Sequence, residues 1–467
     1  AIPSMFPTLT EKLDPDVYMD SMARLVELSD VRAIFTTDDF APELHQHVSS
    51  PVYGSERLLQ ASSTGFTPYE PDPDDIAFLQ HSSGTTGLKK GVALSHRAVL
   101  NHLASYSDAL TMTEEDVIVS WLPLYHDMGL IAGFLLPLIQ GVPLVLMSPF
   151  DWVRHPALLL QAIHDYKGTL CWLPNFAYNH CARRIRKRDS EGLSLASMRA
   201  FINCSEPVRS ESHAMFAERF ADNGVTAAML GVSYAMAENT FAVTQTPVGH
   251  LPLHDTVDRA ALEQERIARP TTQDASNATV KVSCGPVIPG VQIKAVDSSG
   301  QSLPERHVGE LMVTSDSMLS GYYRRDDLQP IVDGWYKTGD MGYIADGEVY
   351  VIGRSKDLII NAGKNVYPQD IESIINEVDG VHAGRAVVFG VYDEREGTEL
   401  IGVVAEVTTE DAAERKIISQ QIRQSVAQQT EVTITYVHLV GEKWLLKTSS
   451  GKIARAANRD KWLATRS

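Results

Sequence analysis

The segment HSSGTTGLKKG, residues 81 to 91, is rich in glycine and hydroxyl groups and ends with two lysines and a glycine. Glycines let backbone N–H groups approach an anion, hydroxyls donate further hydrogen bonds, and lysine supplies positive charge. The spacing differs from the GxxxxGK[ST] nucleotide loop, and the flanking segments DIAFLQ and GVALS are strand-like. The composition therefore indicates a phosphate-binding loop, and the loop alone leaves a flexible surface turn open as the alternative.

Two later segments place a carboxylate where a nucleotide could use it. In SYAMAENT, residues 233 to 240, Tyr234 could stack on a base and Glu238 could hold a hard cation through oxygen. In GWYKTGDMGY, residues 334 to 343, Asp340 lies in a glycine-flanked turn and suits a ribose diol. The alternatives are a solvated glutamate at a strand–helix junction and an ordinary turn aspartate.

A second loop of glycine and serine lies near the C-terminus. The segment LLKTSSGKIAR, residues 445 to 455, carries Lys452. Taken alone, this segment is explained more simply as a solvated basic stretch, so its interpretation depends on the other segments.

The elements that position these residues begin with an alternating pattern between about residues 116 and 234. Five apolar segments predict strands, namely VIVSWLP, VPLVLMSP, TLCWLP, FINC and AAMLGVSY. The segments between them predict helices, namely DMGLIAGFLLPLIQG, HPALLLQAIHDYKG, NFAYNHCARRI and SESHAMFAERFADNG, the last capped by Ser210. Short apolar strands alternating with amphipathic helices predict βαβ units with parallel sheets buried on both faces.

The pattern then changes twice. The segment DRAALEQERIARPTTQDASNAT is polar and turn-rich and predicts a surface insertion or loop. Residues 284 to 352 read as short strands separated by turns and predict a β-rich subdomain. From Arg354 the order of helices and strands predicts a small α+β domain. The predicted fold is therefore α/β, with parallel βαβ sheets and a β-rich subdomain followed by a small α+β domain.

Composition excludes several classes of protein. The chain has 467 residues and a net charge of -18, which argues against bulk binding to nucleic acid or to anionic membranes. Four cysteines without a CxxC pair suggest neither a zinc site nor a disulfide framework, and they favour reduced thiols in a cytoplasmic protein. The most apolar run, MGLIAGFLLPLI, is too short to span a bilayer, and the first residues do not form a secretory signal.

Together, these segments resemble the acyl-adenylate-forming (ANL) superfamily of acyl-CoA synthetases, fatty acyl-AMP ligases and nonribosomal peptide adenylation domains. SSGTTGLKKG resembles its phosphate loop, WLPLYHDMGL its acyl-gate segment, and YAMAE its adenine and magnesium motif. YKTGD resembles the ribose motif, GRSKDLIINAGKNVYPQDIE the hinge and following loop, and KTSSGK the catalytic lysine motif. WLPLYHDMGL, NFAYNHCARRI and GKNVYPQDIE are most similar to the fatty acyl-AMP ligase branch.

The resemblance implies an N-terminal domain at 1–356 and a mobile C-terminal domain at 357–467. It also implies a role for each site residue. The nucleotide residues are Ser83, Gly84, Thr85, Thr86 and Lys90 at the phosphates, Ser205, Glu206 and Tyr234 at the adenine, and Asp340 and Arg354 at the ribose. The others are Glu238 as magnesium ligand, Lys452 as catalytic lysine, His126 as gate, Trp172, Pro174, Phe176 and Met236 in the acyl pocket, Asp357 as hinge, and Gly363 and Lys364 at the thiol channel. A structural histidine and ordinary core packing are the alternatives for His126 and the four pocket residues.

The resemblance also implies a reaction. A carboxylic acid and ATP form acyl-AMP with Mg²⁺, the small domain rotates, and coenzyme A takes the acyl group as a thioester. The alternative is a fatty acyl-AMP ligase that loads an acyl carrier protein, a branch in which an insertion at the position of residues 255–279 restrains the rotation. If that stretch packs between the domains, turnover with CoA should be poor. A non-catalytic nucleotide sensor is the third hypothesis, and the presence of Lys452, Glu238 and Asp340 counts against it.

Three positions depart from the family pattern. Lys89 and Leu446 stand where the phosphate loop and the lysine motif usually carry proline, and Ala237 replaces a common hydroxyl residue. Loss of proline predicts looser loops, which leaves open an enzyme specialised for the thioester step. The first residues, AIPSMFPTLTEKLDP, resemble a stretch that the family reaches only after several dozen residues.

Overall fold

The computed structural model describes residues 1–7, 9, 15–62, 64–81, 90–361, 364–430, 432–448 and 452–466. An N-terminal region of short elements precedes the main sheets. Its helices and strands are α1 (Pro15–Leu28), β1 (Ile34–Thr36), α2 (Ala41–His45), β2 (Val52–Gly54) and α3 (Ser55–Leu59).

The next two strands flank the predicted phosphate loop. Strand β3 (Ile76–His81) pairs antiparallel with β4 (Gly91–Ser95), so the two ends of the loop lie side by side. Helix α4 (His96–Ala109) starts directly after β4 because the Ser95 hydroxyl accepts the Ala98 N–H at 3.1 Å. The loop is therefore anchored on a buried strand and on a capped helix.

The centre of the chain forms the predicted parallel sheet, with strand order β6-β5-β7-β8-β9. Its strands are β5 (Ile118–Ser120), β6 (Leu144–Leu146), β7 (Leu170–Leu173), β8 (Ala200–Asn203) and β9 (Leu230–Val232). Its helices are α5 (Leu136–Gln140), α6 (Pro149–Arg154), α7 (Ala157–Tyr166), α8 (Asn175–Arg184), α9 (Lys187–Ser190) and α10 (Ser210–Arg219). Because strands and helices alternate, the carboxyl ends of the parallel strands meet at one edge, where ligands bind in such folds.

Two details of this region differ from the sequence predictions. The helix predicted at residues 127–141 begins as a π-helix, Met128–Leu135, before α5. A Cβ at Gly129 would lie 2.2 Å from the carbonyl oxygen of Pro123, so this turn packs backbone against backbone. Helix α10 has Arg209 as its N-cap, so the prediction that Ser210 caps it is wrong.

The polar stretch that follows is more ordered than predicted. Strand β10 (His254–Asp258) and strand β11 (Ala278–Val282) pair antiparallel, and a π-helix, Ala261–Glu265, lies between them. The sequence predicted a surface insertion or loop without regular elements, whereas the structure shows paired strands, because scattered apolar side chains, among them Val257, Leu262 and Ala268, are buried in one cluster. We call residues 254–282 the insertion.

The β-rich subdomain forms as predicted. Its strands are β12 (Val291–Val296), β13 (Gly309–Ser315), β14 (Gly321–Tyr322), β15 (Ile331–Val332), β16 (Trp335–Ala345) and β17 (Glu348–Arg354). Most of them join an antiparallel sheet of order β12-β13-β16-β15, with β17 beside β16. Strand β14 instead pairs with β4, which links this subdomain to the strand after the phosphate loop.

The C-terminal part has its own sheet, of order β20-β21-β22, and its own helices. The elements are β18 (Ile359–Asn361), β19 (Lys364–Val366), α11 (Pro368–Ile375), β20 (Val381–Asp393), β21 (Thr398–Val407), α12 (Ala412–Gln429), β22 (Ile434–Val440) and α13 (Arg455–Ala464). Its core, which includes Ile371, Ile401 and Ile422, is separate from the core around the parallel sheet. The predicted fold class is confirmed, and the residue at which the domains divide stays a prediction.

The largest hydrophobic cluster surrounds the parallel sheet and includes the fully buried rings of Trp152, Trp172 and Phe201. Its size gives the cleft at the edge of the sheet a rigid base. Within the described ranges, no helix has the length and apolar character that crossing a bilayer requires.

Candidate active site

The site is built at the carboxyl end of strand β9. The backbone N–H of Tyr234 donates to the Thr244 hydroxyl at 3.1 Å, which fixes the chain as it leaves the strand. The Tyr234 hydroxyl donates to Asp340 Oδ2 at 2.6 Å, and Arg354 Nε lies 3.3 Å from Asp340 Oδ1. Asp340 and Arg354 are register partners on β16 and β17, so the sheet itself places them side by side. The structure thus brings three predicted nucleotide residues into contact.

The turn before Asp340 explains why this carboxylate faces the cleft. Gly339 has a φ of 72°, a left-handed conformation that glycine adopts without a steric penalty. The Thr338 hydroxyl then accepts the Asp340 N–H at 3.0 Å. The TGD sequence therefore fixes the backbone around Asp340 within β16.

Asp340 lies in an electropositive surrounding although it is largely buried. Burial raises the pKa of its carboxyl group. The positive charges of Arg354, Lys452 and Lys356 and the Tyr234 hydrogen bond act in the opposite direction and favour the carboxylate. A carboxylate held this way can accept hydrogen bonds from two adjacent hydroxyl groups.

Glu238 occupies a second buried position. The Tyr322 hydroxyl donates to Glu238 Oε1 at 2.9 Å, and the hydroxyl groups of Tyr322 and Tyr336 lie 3.2 Å apart. Burial raises the pKa of Glu238, and the Tyr322 hydrogen bond opposes that effect. The ammonium of Lys90 lies 4.7 Å from the centre of the Tyr322 ring, within range of a cation–π interaction. One tyrosine therefore contacts both the predicted metal ligand and a predicted phosphate ligand.

Lys452 reaches this cleft from the C-terminal part. Its carbonyl oxygen accepts the Thr448 N–H at 2.7 Å, shortly before α13 begins at Arg455. Its charge acts on Asp127 and Asp340 of the N-terminal part, where it favours both carboxylates. The predicted catalytic lysine is therefore close enough to the predicted ribose residue to favour its ionised form.

His126 pairs with its neighbour in sequence. Its Nδ1 lies 2.6 Å from Asp127 Oδ1, and both side chains are 15% exposed. Asp127 also accepts the Met128 N–H at 2.8 Å at the start of the π-helix. Burial raises the pKa of Asp127, but His126, Lys452 and the Met128 N–H outweigh it, so the pKa falls below its usual range. An ionised Asp127 thus orients the predicted gate histidine and faces the predicted catalytic lysine.

The segment after β8 forms another wall. Ser205 has a φ of 72°, and its hydroxyl lies 3.8 Å from Met128 Sδ. Glu206 Oε2 accepts the Phe176 N–H at 2.9 Å, which satisfies a free donor at the start of α8. The structure therefore places Glu206 at the N-terminus of α8, while its predicted place beside the adenine stays a prediction.

The four predicted acyl-pocket residues do not share one environment. Trp172 is fully buried, and its indole N–H donates to the Tyr106 hydroxyl at 2.8 Å. Pro174 is the buried N-cap of α8, Phe176 is 42% exposed, and Met236 is 9% exposed. Trp172 has the contacts of a core residue, whereas Phe176 is accessible enough to contact a ligand.

The remaining predicted residues lie outside the described residues or in other elements. The phosphate-loop residues Ser83, Gly84, Thr85 and Thr86 and the channel residue Gly363 lie outside the described residues. Lys364 begins β19, and the hinge residue Asp357 accepts a hydrogen bond from Arg455 Nη1 at 2.7 Å. The hinge is therefore bound to the helix that follows the catalytic-lysine loop.

The sequence analysis missed the residues that support the predicted ones. Asp127 adjoins His126 in YHDMGL, so its sequence position was available as a signal, but its orientation toward Lys452 was not. Tyr322 and Tyr336 lie far from Glu238 in the sequence, and the pairing of β14 with β4, together with the hydrogen bond from the Leu319 N–H to the Glu238 carbonyl oxygen, brings Tyr322 to the site.

The family model of AMP-binding enzymes matches residues 11–323. The chain belongs to this family. A similar curated protein is the putative ligase Rv1013 of Mycobacterium tuberculosis, which is 32% identical over 455 residues, 96% of this chain and 83% of the relative. Another is the medium-chain-fatty-acid–[acyl-carrier-protein] ligase JamA of Moorena producens, which is 33% identical over 425 residues, 88% of this chain and 71% of JamA.

A solved structure supports the same assignment. A chain from a study of fatty acyl-adenylate ligases from E. coli and L. pneumophila superposes with a TM-score of 0.93 at 29% identity, covering 100% of this chain and 84% of that one. The resemblance to the acyl-adenylate-forming superfamily is thereby confirmed, and the protein is an acyl-adenylate-forming ligase.

The residues present fit the magnesium ion that the family implies. Among the described residues, no group of three or more histidine, cysteine, aspartate or glutamate side chains could hold a metal by itself. Mg²⁺ in phosphate-handling sites takes one or two carboxylates together with phosphate oxygens and waters. A single buried Glu238, held by Tyr322, is therefore a suitable protein ligand when a nucleotide supplies the remaining oxygens.

Proposed function

We propose that this protein converts a carboxylic acid and ATP into acyl-AMP and pyrophosphate and passes the acyl group to the phosphopantetheine thiol of a carrier protein rather than to free CoA. The observation that carries the adenylation half is the convergence of Tyr234, Asp340 and Lys452 on one cleft. Lys452 belongs to the predicted C-terminal domain and the other two residues to the predicted N-terminal domain, which supports a domain orientation suited to the first half-reaction.

The chemistry of that step suits this arrangement. A carboxylate attacks the α-phosphorus of ATP, two anions must meet, and negative charge moves to the leaving pyrophosphate. Fixed positive charge should therefore dominate catalysis. We assign Lys452 to the carboxylate and α-phosphate, Lys90 to the departing phosphates, and Asp340 with Arg354 to the ribose. Glu238 would hold Mg²⁺, which would supply charge neutralisation at the phosphates.

The acid is best proposed as a medium or long aliphatic chain. JamA is named for medium-chain fatty acids, and a relative from Mycolicibacterium smegmatis is named a long-chain-fatty-acid–AMP ligase. The accessible Phe176 and the largely buried Met236 offer apolar contact near the cleft. The buried Trp172 belongs to the same hydrophobic cluster as Met236, and His126 remains the proposed gate between the acyl chain and the thiol.

The choice of acceptor rests on the insertion, which packs against the C-terminal part. Asn365 Nδ2 donates to the Glu263 carbonyl oxygen at 2.7 Å, and Lys281 Nζ lies 3.1 Å from Asp370 Oδ2. Arg259 donates to the Gln429 carbonyl oxygen at the far end of α12. These contacts meet the condition under which the sequence analysis expects poor turnover with CoA.

Apolar packing adds to the polar contacts. Tyr367, which directly precedes α11, belongs to the same buried cluster as Val257 and Leu262 of the insertion. Rotation toward the thioester orientation would expose this cluster to water, at about 25 cal/mol per Å² of apolar area. A carrier protein brings its own docking contacts to offset that cost, whereas free CoA has only its nucleotide end with which to do so.

A two-stage assay tests the proposal. The first stage measures ATP–pyrophosphate exchange with a panel of carboxylic acids, and aliphatic acids should give exchange. The second supplies acyl-AMP and compares CoA with a phosphopantetheinylated carrier protein at equal thiol concentration. We expect the carrier to react at least ten times faster. Equal or faster reaction with CoA would favour the acyl-CoA ligase alternative, and absence of exchange with every acid would refute adenylation.

Charge reversal at the insertion tests the proposed reason. The Lys281–Asp370 pair is partly exposed and contributes about 1 kcal/mol, so Lys281→Glu should raise the CoA rate roughly fivefold by favouring rotation. The double variant Lys281→Glu with Asp370→Lys should restore the low rate. Arg269→Ala is the matched control because, among the ion pairs of the described residues, Arg269 pairs with Glu265 inside the insertion and not with the C-terminal part.

A further inference from the structure

The segment between β8 and α10 contains Ser205 and Glu206, which are predicted to lie at the adenine, and it also binds other parts of the molecule. Glu206 binds the first turn of α8 through the Phe176 N–H. At the end of the segment, the Arg209 N–H donates to Asn175 Oδ1 at 3.3 Å, which is also in the first turn of α8. The segment is therefore attached twice to the helix that bears the accessible Phe176.

The attachment point at Asn175 is a buried polar network. Asn175 Oδ1 accepts from Asn203 Nδ2 at 3.0 Å, and Asn175 Nδ2 donates to the Ser212 hydroxyl at 3.1 Å. His213 Nε2 lies 2.9 Å from Asn203 Nδ2, and burial lowers the pKa of His213 to about 4, so the ring is a neutral acceptor near pH 7. Buried and mutually bonded amides hold their geometry closely. The backbone of Arg209 is thus fixed relative to the sheet.

The side chain of Arg209 points to the other domain. Its guanidinium donates to the Ser373 hydroxyl and, at 3.5 Å, to the Gln369 carbonyl oxygen. Both acceptors lie on α11. Arg209 is not part of the insertion, so this is a second and independent connection between the domains.

Helix α11 is in turn connected to the catalytic lysine. Arg455 Nη2 donates to Glu372 Oε1 on α11 at 2.8 Å, and Arg455 Nη1 donates to the hinge residue Asp357 at 2.7 Å. Arg455 is three residues after Lys452 and begins α13. A hydrogen bond that fixes the position of α11 therefore also restrains Arg455 and, through it, the position of Lys452.

We propose that Arg209 is a positioning residue that keeps the C-terminal domain in the adenylation orientation, with Lys452 facing the cleft. It acts through α11 and Arg455 and does not contact the reacting atoms. The Arg209 backbone is fixed by the first turn of α8, the helix that bears Phe176. The same residue therefore connects the proposed acyl-binding helix to α11 of the C-terminal domain. This inference rests on the proposed two-step function, since it assigns Arg209 to the first step only.

The test separates the two half-reactions in the full-length protein. Arg209→Ala loses hydrogen bonds from a charged donor, so kcat for ATP–pyrophosphate exchange should fall roughly tenfold. The KM values for ATP and acid should change less than twofold, because the residues that bind them are untouched. Thioester formation from supplied acyl-AMP, which needs the other orientation, should be unchanged or faster. Arg209→Lys should recover part of the exchange activity.

The controls distinguish positioning from a general structural effect. Arg219→Ala removes the arginine at the end of α10, whose guanidinium donates to the Ile185 carbonyl oxygen at 2.8 Å within the N-terminal part. This variant should leave the ratio of the two rates unchanged. If Arg209→Ala does not fold, Ser373→Ala removes one acceptor from the α11 surface and should show the same split at smaller size.

Two outcomes would overturn the inference. One is a parallel fall of both half-reactions in Arg209→Ala, and the other is a variant that matches the wild type in both. Failure of the proposed function is recognised separately, because the wild-type protein would then show no exchange at all.

Discussion

Replacing Asp340 with asparagine keeps the shape of the side chain and removes its charge. In the wild-type protein, Asp340 Oδ2 accepts from Tyr234 at 2.6 Å and Oδ1 faces Arg354 at 3.3 Å. Each oxygen has a second lone pair with which it can accept a ribose hydroxyl. In Asp340→Asn one of these oxygens becomes an NH₂ group, and the hydroxyl bonded there loses its acceptor.

The size of the effect follows from these contacts. A hydrogen bond to a charged group is worth about 1.5–3 kcal/mol, and the bond that remains becomes neutral and weaker by about 1 kcal/mol. The sum is about 3 kcal/mol, which is a roughly 100-fold rise in KM for ATP. The fold should tolerate the change, because Arg354 is 46% exposed and its ion pair is worth only about 0–1 kcal/mol.

The assay is ATP–pyrophosphate exchange at saturating acid with ATP varied. Asp255→Asn is the matched control. Asp255 Oδ2 accepts from Tyr343 at 2.9 Å and from Arg306 at 2.9 Å, so this carboxylate is also held by one tyrosine and one arginine, at a distance from the cleft. We expect it to leave KM for ATP unchanged. A folded Asp340→Asn enzyme whose KM for ATP is within threefold of wild type would refute this reasoning.

Three further predictions concern other parts of the protein. Lys452→Ala should lower exchange kcat about 100-fold, a loss of about 3 kcal/mol of transition-state stabilisation, and a rate near wild type would contradict its assigned role. Tyr322→Phe removes the donor to Glu238 and should raise the Mg²⁺ concentration needed for half-maximal exchange several-fold, with Tyr343→Phe as a control that should not. Burial raises the pKa of Cys204 to about 12, so its thiolate fraction at pH 8 is about 10⁻⁴. The native protein should therefore resist alkylation by iodoacetamide, as measured by intact mass. Rapid labelling at this residue would show that it is not buried.

The sequence predicted the sheet region well because its signals are local. Each parallel strand is a short apolar run and each helix has its own periodicity, so alternation alone indicates βαβ units. The strands inside the insertion were missed for the opposite reason. Its buried apolar residues, such as Val257, Leu262 and Ala268, are scattered among polar and charged ones, and they become a core only when β10 and β11 pair and Tyr367 packs against them.

The candidate site shows the same division. Tyr234, Glu238, Asp340 and Lys452 stand in recognisable motifs, so their types could be predicted. Their partners depend on contacts between distant segments, as with Tyr322, and no local pattern encodes those contacts. The wide turn of the π-helix after Asp127 was missed because its sequence has the apolar character of an ordinary buried helix.

The central claim is that this cleft holds an acyl adenylate between the two domains. A crystal structure with a non-hydrolysable acyl-adenylate analogue, such as an alkyl sulfamate of adenosine, tests it most directly. The account predicts the ribose hydroxyls on Asp340, the adenine against Tyr234, and the Lys452 ammonium at the bridging group. An analogue bound away from Asp340 and Tyr234, or bound with Lys452 turned out of the cleft, would contradict it.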